Sequence, residues 1–519
     1  MTTTLFFSAF GVYLLALIVL SSWLAKRQKS GDDFLLAGRS VSAPLTLGTT
    51  VATMIGTGTS MGAVGYAYTN SWAGMLYGVG GAAGILLTAW LFAPVRRYGF
   101  MTMSEELSFY VGANSIIRFT SAVLIFIASL GWLGAHLIGG ALYLSWATGM
   151  DLDSAKIMIA VAFTTYIVIG GYTAVVWTDS LMAIVLFAGF VMMAMVIMQQ
   201  SGGAVMLMEQ VPAEHQGWQA LTHIGVIPAL SLAAVIAIGV MATPSFRQRI
   251  YSGKSVSTVR RSFVIAGLLY LAFAALPAII GIAARISEPE LANHQFAFAT
   301  MAVTALPALL ALVVLIAGVS ATLTSASSDA MAAVTIFIRD LVQQLHPTGL
   351  SQNRIILLAR CALVAIAALA LSMALLSDDL IHYITSLIAT VMSGLCATAL
   401  LGRFWPRFNA CGALAALLSA MLTSLVILLT PAWLVYWGNP SIPALSVAIA
   451  MGVLVSLITK AEAVSTLTAL RRIKTERQQL MHSVKHLVAS PSGPPHSATN
   501  LSIPNQPDSK AEGRGELDS

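Results

Sequence analysis

Residues 48–62 read Gly48-Thr49-Thr50-Val51-Ala52-Thr53-Met54-Ile55-Gly56-Thr57-Gly58-Thr59-Ser60-Met61-Gly62. They lie inside an apolar stretch, 45–69, that exceeds the roughly 20 residues a helix needs to cross a bilayer. An ordinary span has no use for such a density of glycine and hydroxyl groups. Glycine makes interrupting a helix cheap. An interrupted helix can present carbonyls and hydroxyls to a bare cation, because hard cations take oxygen ligands. Close packing of neighbouring helices by small residues is the competing reading, and for Gly62 taken alone it is the better one. Taken together, the cluster predicts a broken membrane helix.

The rest of the chain agrees that most of it sits in lipid. Of 519 residues, 57% are hydrophobic and 9% charged, with a mean hydropathy of +0.83. A soluble protein carries about 25% charged residues. Apolar segments of spanning length fall near 5–25, 45–69, 72–95, 117–147, 156–177, 179–199, 225–245, 262–284, 305–335, 354–376, 380–402, 410–430 and 441–459. Backbone groups in lipid must pair within their own segment, so these are helices. No period-two alternation points to a membrane barrel. The expected fold class is an all-α integral membrane protein of about thirteen transmembrane helices.

Charge sets the expected orientation. The first segment, Leu5–Ala25, is longer than the apolar part of a secretory signal and has no Lys or Arg before it. Lys26, Arg27 and Lys29 follow it. With the N-terminus outside, all but Lys156 and Arg285 of the 27 Lys and Arg fall on the inner side, as the positive-inside rule requires. The outer connections hold Asp151, Asp153, Glu209, Glu214, Glu288, Glu290, Asp378 and Asp379, read as solvated loop residues. The net charge of +6 thus follows from short loops between spans and does not indicate nucleic acid. Cys361, Cys396 and Cys411 lie in or beside apolar segments, with no disulfide framework or metal spacing, and are expected to be small core residues.

Beyond Lys460 the composition shifts. Residues 461–487 read as a basic helix with Val464, Leu467, Leu470 and Ile473 at helical spacing. It either lies along an anionic lipid surface or is solvated. From Ser490 the chain is rich in Ser, Pro and Gly and is expected to be disordered.

Three further features carry candidate chemistry. The segment from Gly225 has Pro228 near its start and ends through Gly239 and Pro244. It is the sixth span counted from 45–69. Spans two to six and seven to eleven therefore form two sets of five, each opening on a Gly/Pro-interrupted helix, which points to a binding site at the membrane midplane. The ninth span holds Thr322, Thr324, Ser325, Ser327, Ser328 and Asp329. Polar groups this dense are costly in lipid unless they face a cavity, although Ser and Thr also bond back to their own helix. Asp179, after Gly170-Gly171-Tyr172-Thr173-Ala174-Val175-Val176-Trp177-Thr178, is either a helix N-cap or a carboxylate on a cation path. No catalytic set is legible, and no enzyme is expected. His136 stands alone in its span with no carboxylate near it in sequence. Gly-x-Gly patterns fall within spans rather than after strands and do not mark a nucleotide site.

These residues resemble the sodium:solute symporter family, over roughly 1–460. Gly31-Asp32-Asp33-Phe34-Leu35-Leu36-Ala37-Gly38-Arg39 is similar to the loop before its first core helix. Gly170 to Asp179 resembles its Gly-Gly…Ala-Val…Trp-Thr-Asp signature. Thr324 to Asp340, ending Phe337-Ile338-Arg339-Asp340, resembles its Ser/Thr-rich core helix. The resemblance implies a leucine-transporter-type core of two inverted five-helix repeats, with one helix before it and two after. The expected organisation is 1–44, first helix and loop; 45–402, transport core; 403–460, two further helices; 461–519, cytoplasmic tail. The family's main sodium site falls on Ala52, Ile55, Ala321, Thr324 and Ser325, where Thr324 replaces a common Ser. A second sodium, bound in some members, would fall on Thr53, Asp179, Ser327 and Ser328. Pocket positions fall on Gly56, Thr59, Trp132, His136 and Ile236.

The resemblance implies sodium-coupled import of a small solute across the cell membrane. The polar contacts of the family's sugar carriers fall here on Gly58 and Thr59, and their aromatic inner gate near Gly239 and Val240. A carboxylate or amino-acid-like solute is therefore expected over a sugar. The partners implied are that solute, Na+ and the bilayer. The alternative is a solute sensor or regulatory subunit on the same fold that binds without transporting; about 60 residues after the last span are too few for an ordinary kinase domain.

Overall fold

The computed structural model describes residues 3–26, 30–211, 219–342, 352–377, 379–462 and 464–489. Arg27, Lys29, Glu214, Asp378 and the tail from 490, all singled out in the sequence, lie outside them. Among the described residues the chain is helical, and its one β feature is an isolated bridge between Val41 and Gly253. By length and composition ten helices could cross a membrane, or eleven when the bent pair Val226–Ala242 and Pro244–Ser252 counts as one span. The protein is a multi-pass membrane protein.

Helix boundaries follow local chemistry. Asn114, Asp151, Ser255, Asp379 and Asn409 each accept a backbone N–H of the first turn that follows, satisfying a donor the helix cannot use. Gly149, at φ 73°, ends Ser115–Thr148 in the left-handed conformation. Packing is close where small residues meet. A Cβ on Gly80 would stand 2.3 Å from the carbonyl oxygen of Ala233, so the helices Met75–Leu91 and Val226–Ala242 touch backbone to backbone there. The helix from Ala308 is wedged between Ser115–Thr148 and Leu152–Gln200, and Ala410–Leu428 packs along Ser441–Ile458.

Several sequence expectations are refined. The stretch 45–69 is broken: Ala43–Met54 ends at Ile55, and the chain resumes through a π-helical segment, Gly58–Ala63, into Val64–Asn70. The segment 225–245 divides at Thr243, where the axis bends by 41° into Pro244–Ser252. Segments 156–177 and 179–199 are joined in a 49-residue helix, Leu152–Gln200. A straight helix of that length would run about 70 Å, more than twice the hydrocarbon core. Its break lies at Gly171 (φ 57°, ψ −171°), a conformation essentially reserved for glycine. Asp179 is therefore inside a helix and does not cap one. The break belongs to the glycine pair ahead of it.

The cysteines also differ from expectation. Cys396 is buried, but Cys361 and Cys411 are exposed on the outer surface of the bundle. The basic tail helix is Thr466–Ala489. Ala469 and Ile473 are buried, Leu467 is exposed, and the helix docks on the short helix Met103–Phe109.

Charge is segregated between the two ends of the bundle. At one end Arg39 reaches the Gly99 carbonyl, Arg96 reaches Gly253, Arg403 reaches Leu91 and Arg477 reaches Gly99. Arg247 is buried against Glu106 at 3.1 Å and stacks on Phe92. Arg118 pairs with Glu105, Asp340 and Glu476, at 3.5, 3.0 and 2.9 Å, and Arg477 pairs with Glu105. The acidic residues Asp151, Asp153 and Glu288 belong to the other end. There Lys156 bonds Asp153 and the Ser377 carbonyl, and Arg285 lies over Tyr68.

Candidate ion and solute site

The break in the first core helix is defined by its own hydrogen bonds. The N–H groups of Thr59 and Ser60 both turn to the Gly56 carbonyl, and the Thr59 hydroxyl donates to the Met54 carbonyl. Among the described residues, no backbone N–H outside the regular helix ladder is directed at the carbonyls of Ala52 or Ile55. Ser325 approaches this break from the helix Ala308–Ile336: a Cβ on Gly56 would stand 2.8 Å from its hydroxyl oxygen. Ser325 is 1% exposed, and its hydroxyl has no hydrogen-bond partner among the described residues. Thr324, next to it, bonds back to the Ala321 carbonyl at 3.2 Å. A buried hydroxyl normally finds a partner. An orphaned one beside a helix break, with carbonyls at hand, is a donor set suited to a monovalent cation.

A second cluster lies one turn toward the arginine-rich end. Asp179 Oδ2 accepts from Thr49 at 2.6 Å, from Ser328 at 3.0 Å and from Arg249 at 3.1 Å. Arg249 Nη2 also donates to Thr53, to Thr49 and, at 2.8 Å, to Ser328. Of the four residues matched to a second ion, Thr53, Asp179 and Ser328 thus converge on a guanidinium. Ser327 is turned elsewhere, donating to the Leu323 carbonyl at 2.8 Å and meeting Tyr166.

The pocket opens beside the helix break. Its walls include Gly56, Thr57, Gly58, Trp132, His136, Ile236, Tyr77, Tyr270, Thr243 and Asp329. Four of the five sequence candidates line it. The fifth, Thr59, is in the wall behind, with its hydroxyl against Tyr270. His136 is not alone: its Nε2 lies 3.0 Å from Asp329 Oδ2 and its Nδ1 2.9 Å from the Thr57 hydroxyl. Sequence proximity could not show this, since the partners are 193 positions apart. Arg249 was missed because Pro244–Ser252 reads as a charged loop, and charge counting assigns its arginines only to a membrane face. Tyr77 and Tyr270 stand in unremarkable apolar spans.

A broken membrane helix, an orphaned hydroxyl beside it and a pocket sharing Gly56 form the arrangement expected of a helical membrane transporter. Comparison with known proteins places it more closely. The family model described as "Sodium:solute symporter family" matches residues 34–420, and the chain belongs to that family. It is 24% identical over 468 residues to the uncharacterized symporter YwcA of Bacillus subtilis, covering 82% of this chain and 87% of that protein. It is 24% identical to the sodium/pantothenate symporter of Escherichia coli, covering 78% and 87%. Rabbit (Oryctolagus cuniculus) sodium/glucose cotransporter 1 is 23% identical, covering 78% and 68%. In fold it is similar to a Na+-coupled sialic acid symporter solved in a substrate-bound outward-open state, with a TM-score of 0.73 at 18% identity, covering 88% and 98%. It is also similar to Mhp1, a nucleobase-cation-symport-1 family transporter, with a TM-score of 0.56 at 14% identity, covering 86% and 98%.

Proposed function

We propose that this chain is a sodium-coupled secondary active transporter that imports a small organic solute, carboxylate or amino-acid-like rather than a sugar. The observation that carries the reading is the unpartnered Ser325 hydroxyl at the helix break, with Gly56 shared between that break and the pocket. Ala52, Ile55, Ala321, Thr324 and Ser325 would hold the sodium through neutral carbonyls and hydroxyls, which bind a monovalent ion without trapping it. Because ion site and pocket share one piece of backbone, filling either one pre-orders the other. That is a coupling free energy, and it acts equally in both directions.

The same reading assigns thirteen crossings: 1–44 first helix and loop, 45–402 a core of two five-helix repeats, 403–460 two further helices and 461–519 a tail. The N-terminus is outside and the arginine-rich end inside, in the cell membrane. Support comes from the two interruptions, at Ile55–Gly56 and Thr243, and from the charge segregation. A second sodium at Thr53, Asp179, Ser327 and Ser328 requires Arg249 to swing aside. The preference against a sugar rests on the family positions of the sugar carriers' contacts, which fall here on Gly58 and Thr59, and not on a lack of polar groups, since Thr57, Tyr77, Trp132, Thr243 and Tyr270 all line the pocket.

Reconstitution tests the reading. Proteoliposomes should accumulate the solute against its gradient when sodium is supplied outside, and fail to do so with choline in its place. Equal uptake in both buffers at constant pH would refute sodium coupling, and binding without accumulation would favour a sensor.

A further inference from the structure

One charged group in the pocket is only half satisfied. Asp329 is 2% exposed and lines the pocket. Its Oδ2 receives His136, but Oδ1 has no hydrogen-bond partner among the described residues. Among the described residues no Lys or Arg lines the pocket, whereas the rings of Trp132, Tyr77, Tyr270 and Phe246 do. We propose that Asp329 Oδ1 receives a protonated amine of the solute, so that the pocket takes a zwitterionic or cationic nitrogen compound and rejects a plain carboxylate. This rests on the symporter reading above and narrows it.

The chemistry follows from what each group can do. A carboxylate oxygen accepts hydrogen bonds, and in the 3.0 Å contact with Oδ2 the Nε2 of His136 acts as its donor when it carries the ring proton. Oδ1 then remains a charged acceptor in a water-poor wall, where an unpaired charge is costly. An ammonium supplies the missing donors and is further attracted to aromatic faces. A solute bearing only a carboxylate would set its charge against that of Asp329 at low dielectric, with no Lys or Arg among the described lining residues and only the sodium proposed at the helix break to offset it. The other imidazole nitrogen meets Thr57, one residue from Gly56. Amine binding is thereby tied through His136 to the interrupted helix.

The test uses the purified full-length chain and two matched probe sets: proline, pyrrolidine and cyclopentanecarboxylate; leucine, isoamylamine and 4-methylpentanoate. With sodium present, amine-bearing probes should raise the thermal midpoint and the two plain carboxylates should not. Asp329→Asn should weaken the effective amine by about tenfold or more, the loss of one charge-assisted hydrogen bond, while sodium alone still shifts the midpoint. The proposal is overturned if plain carboxylates rank first, if no amine-bearing probe acts, or if Asp329→Asn binds them unchanged. Should Asp329→Asn fail to fold, the wild-type ranking decides. Sodium titration without solute reads the symporter assignment separately: no midpoint shift there, with sodium-independent uptake, removes that assignment whichever probe binds.

Discussion

The hydroxyl oxygen of Ser325 stands 2.8 Å from where a Cβ on Gly56 would be, so two spans more than 260 positions apart meet with no room for one further carbon. Gly56→Ala must push Ser325 off the helix break. The sodium concentration for half-maximal uptake should rise about tenfold or more, equivalent to the ~1.4 kcal/mol that one modest ligand supplies. Thr324→Ala with Ser325→Ala should act in the same direction. Gly11→Ala, where a Cβ meets nothing within 4 Å, should leave sodium dependence unchanged. An unaltered sodium curve for Gly56→Ala would detach Ser325 from ion binding.

Asp179 is the buried counter-charge of Arg249. Asp179→Asn leaves the guanidinium uncompensated, and breaking a buried pair in this way costs about 3–5 kcal/mol. The thermal midpoint of the purified protein should drop clearly and sodium-driven uptake should fall with it. Asp179→Asn combined with Arg249→Met should regain much of the stability without regaining transport. If the single variant is as stable and as active as the parent, the pair has neither role.

Gly171 holds a backbone conformation that costs other residues about 1–3 kcal/mol. Gly171→Ala should reduce the yield of monodisperse protein and lower its thermal midpoint. Circular dichroism should show helix content close to that of the parent, because the strain is local.

Glu105 binds the tail helix through Arg477 Nε at 2.9 Å, and also faces Arg118. Burial pushes its carboxyl up, but Arg477, Arg118 and the Met101 N–H outweigh that and hold it below its ordinary 4.5. Since the folded value is the lower one, docking is stabilised above 4.5 and loses that stabilisation as pH falls through the folded value. Hydrogen-exchange protection over residues 466–477, measured relative to the intrinsic amide rate at each pH, should be high at neutral pH and fall in acid. Glu105→Gln should show low protection at neutral pH as well.

The sequence made the spans and the broken helix legible because both follow from local composition: apolar length for the first, Gly and Thr density for the second. It placed the break in 156–199 eight residues late, because a charged residue in an apolar run looks like a boundary while the glycine pair that makes the turn looks like packing. The polar groups were legible where each follows from the composition of its own helix, as with the glycines around Gly56 and the hydroxyl run around Ser325. The site was not legible where a pair forms across the bundle. His136 and Asp329 each look like an isolated polar group in a hydrophobic span, and only folding shows that one answers the other. The tail helix has a partner of the same kind: Glu105 and the buried faces of Ala469 and Ile473 give it a protein surface to hold, which its own basic composition does not reveal.

Two π-helical segments border the pocket, Gly58–Ala63 on one side and Ile388–Met392 on the other. A π turn is an α-helix with one surplus residue looped into its ladder. Such a surplus can be handed along the chain from turn to turn, rotating the side chains it passes by about a quarter turn or more while each N–H exchanges one carbonyl for the next. A wall built this way can change the face it shows to the cavity without ever presenting a bare peptide group to lipid, where a continuous α-helix would first have to break.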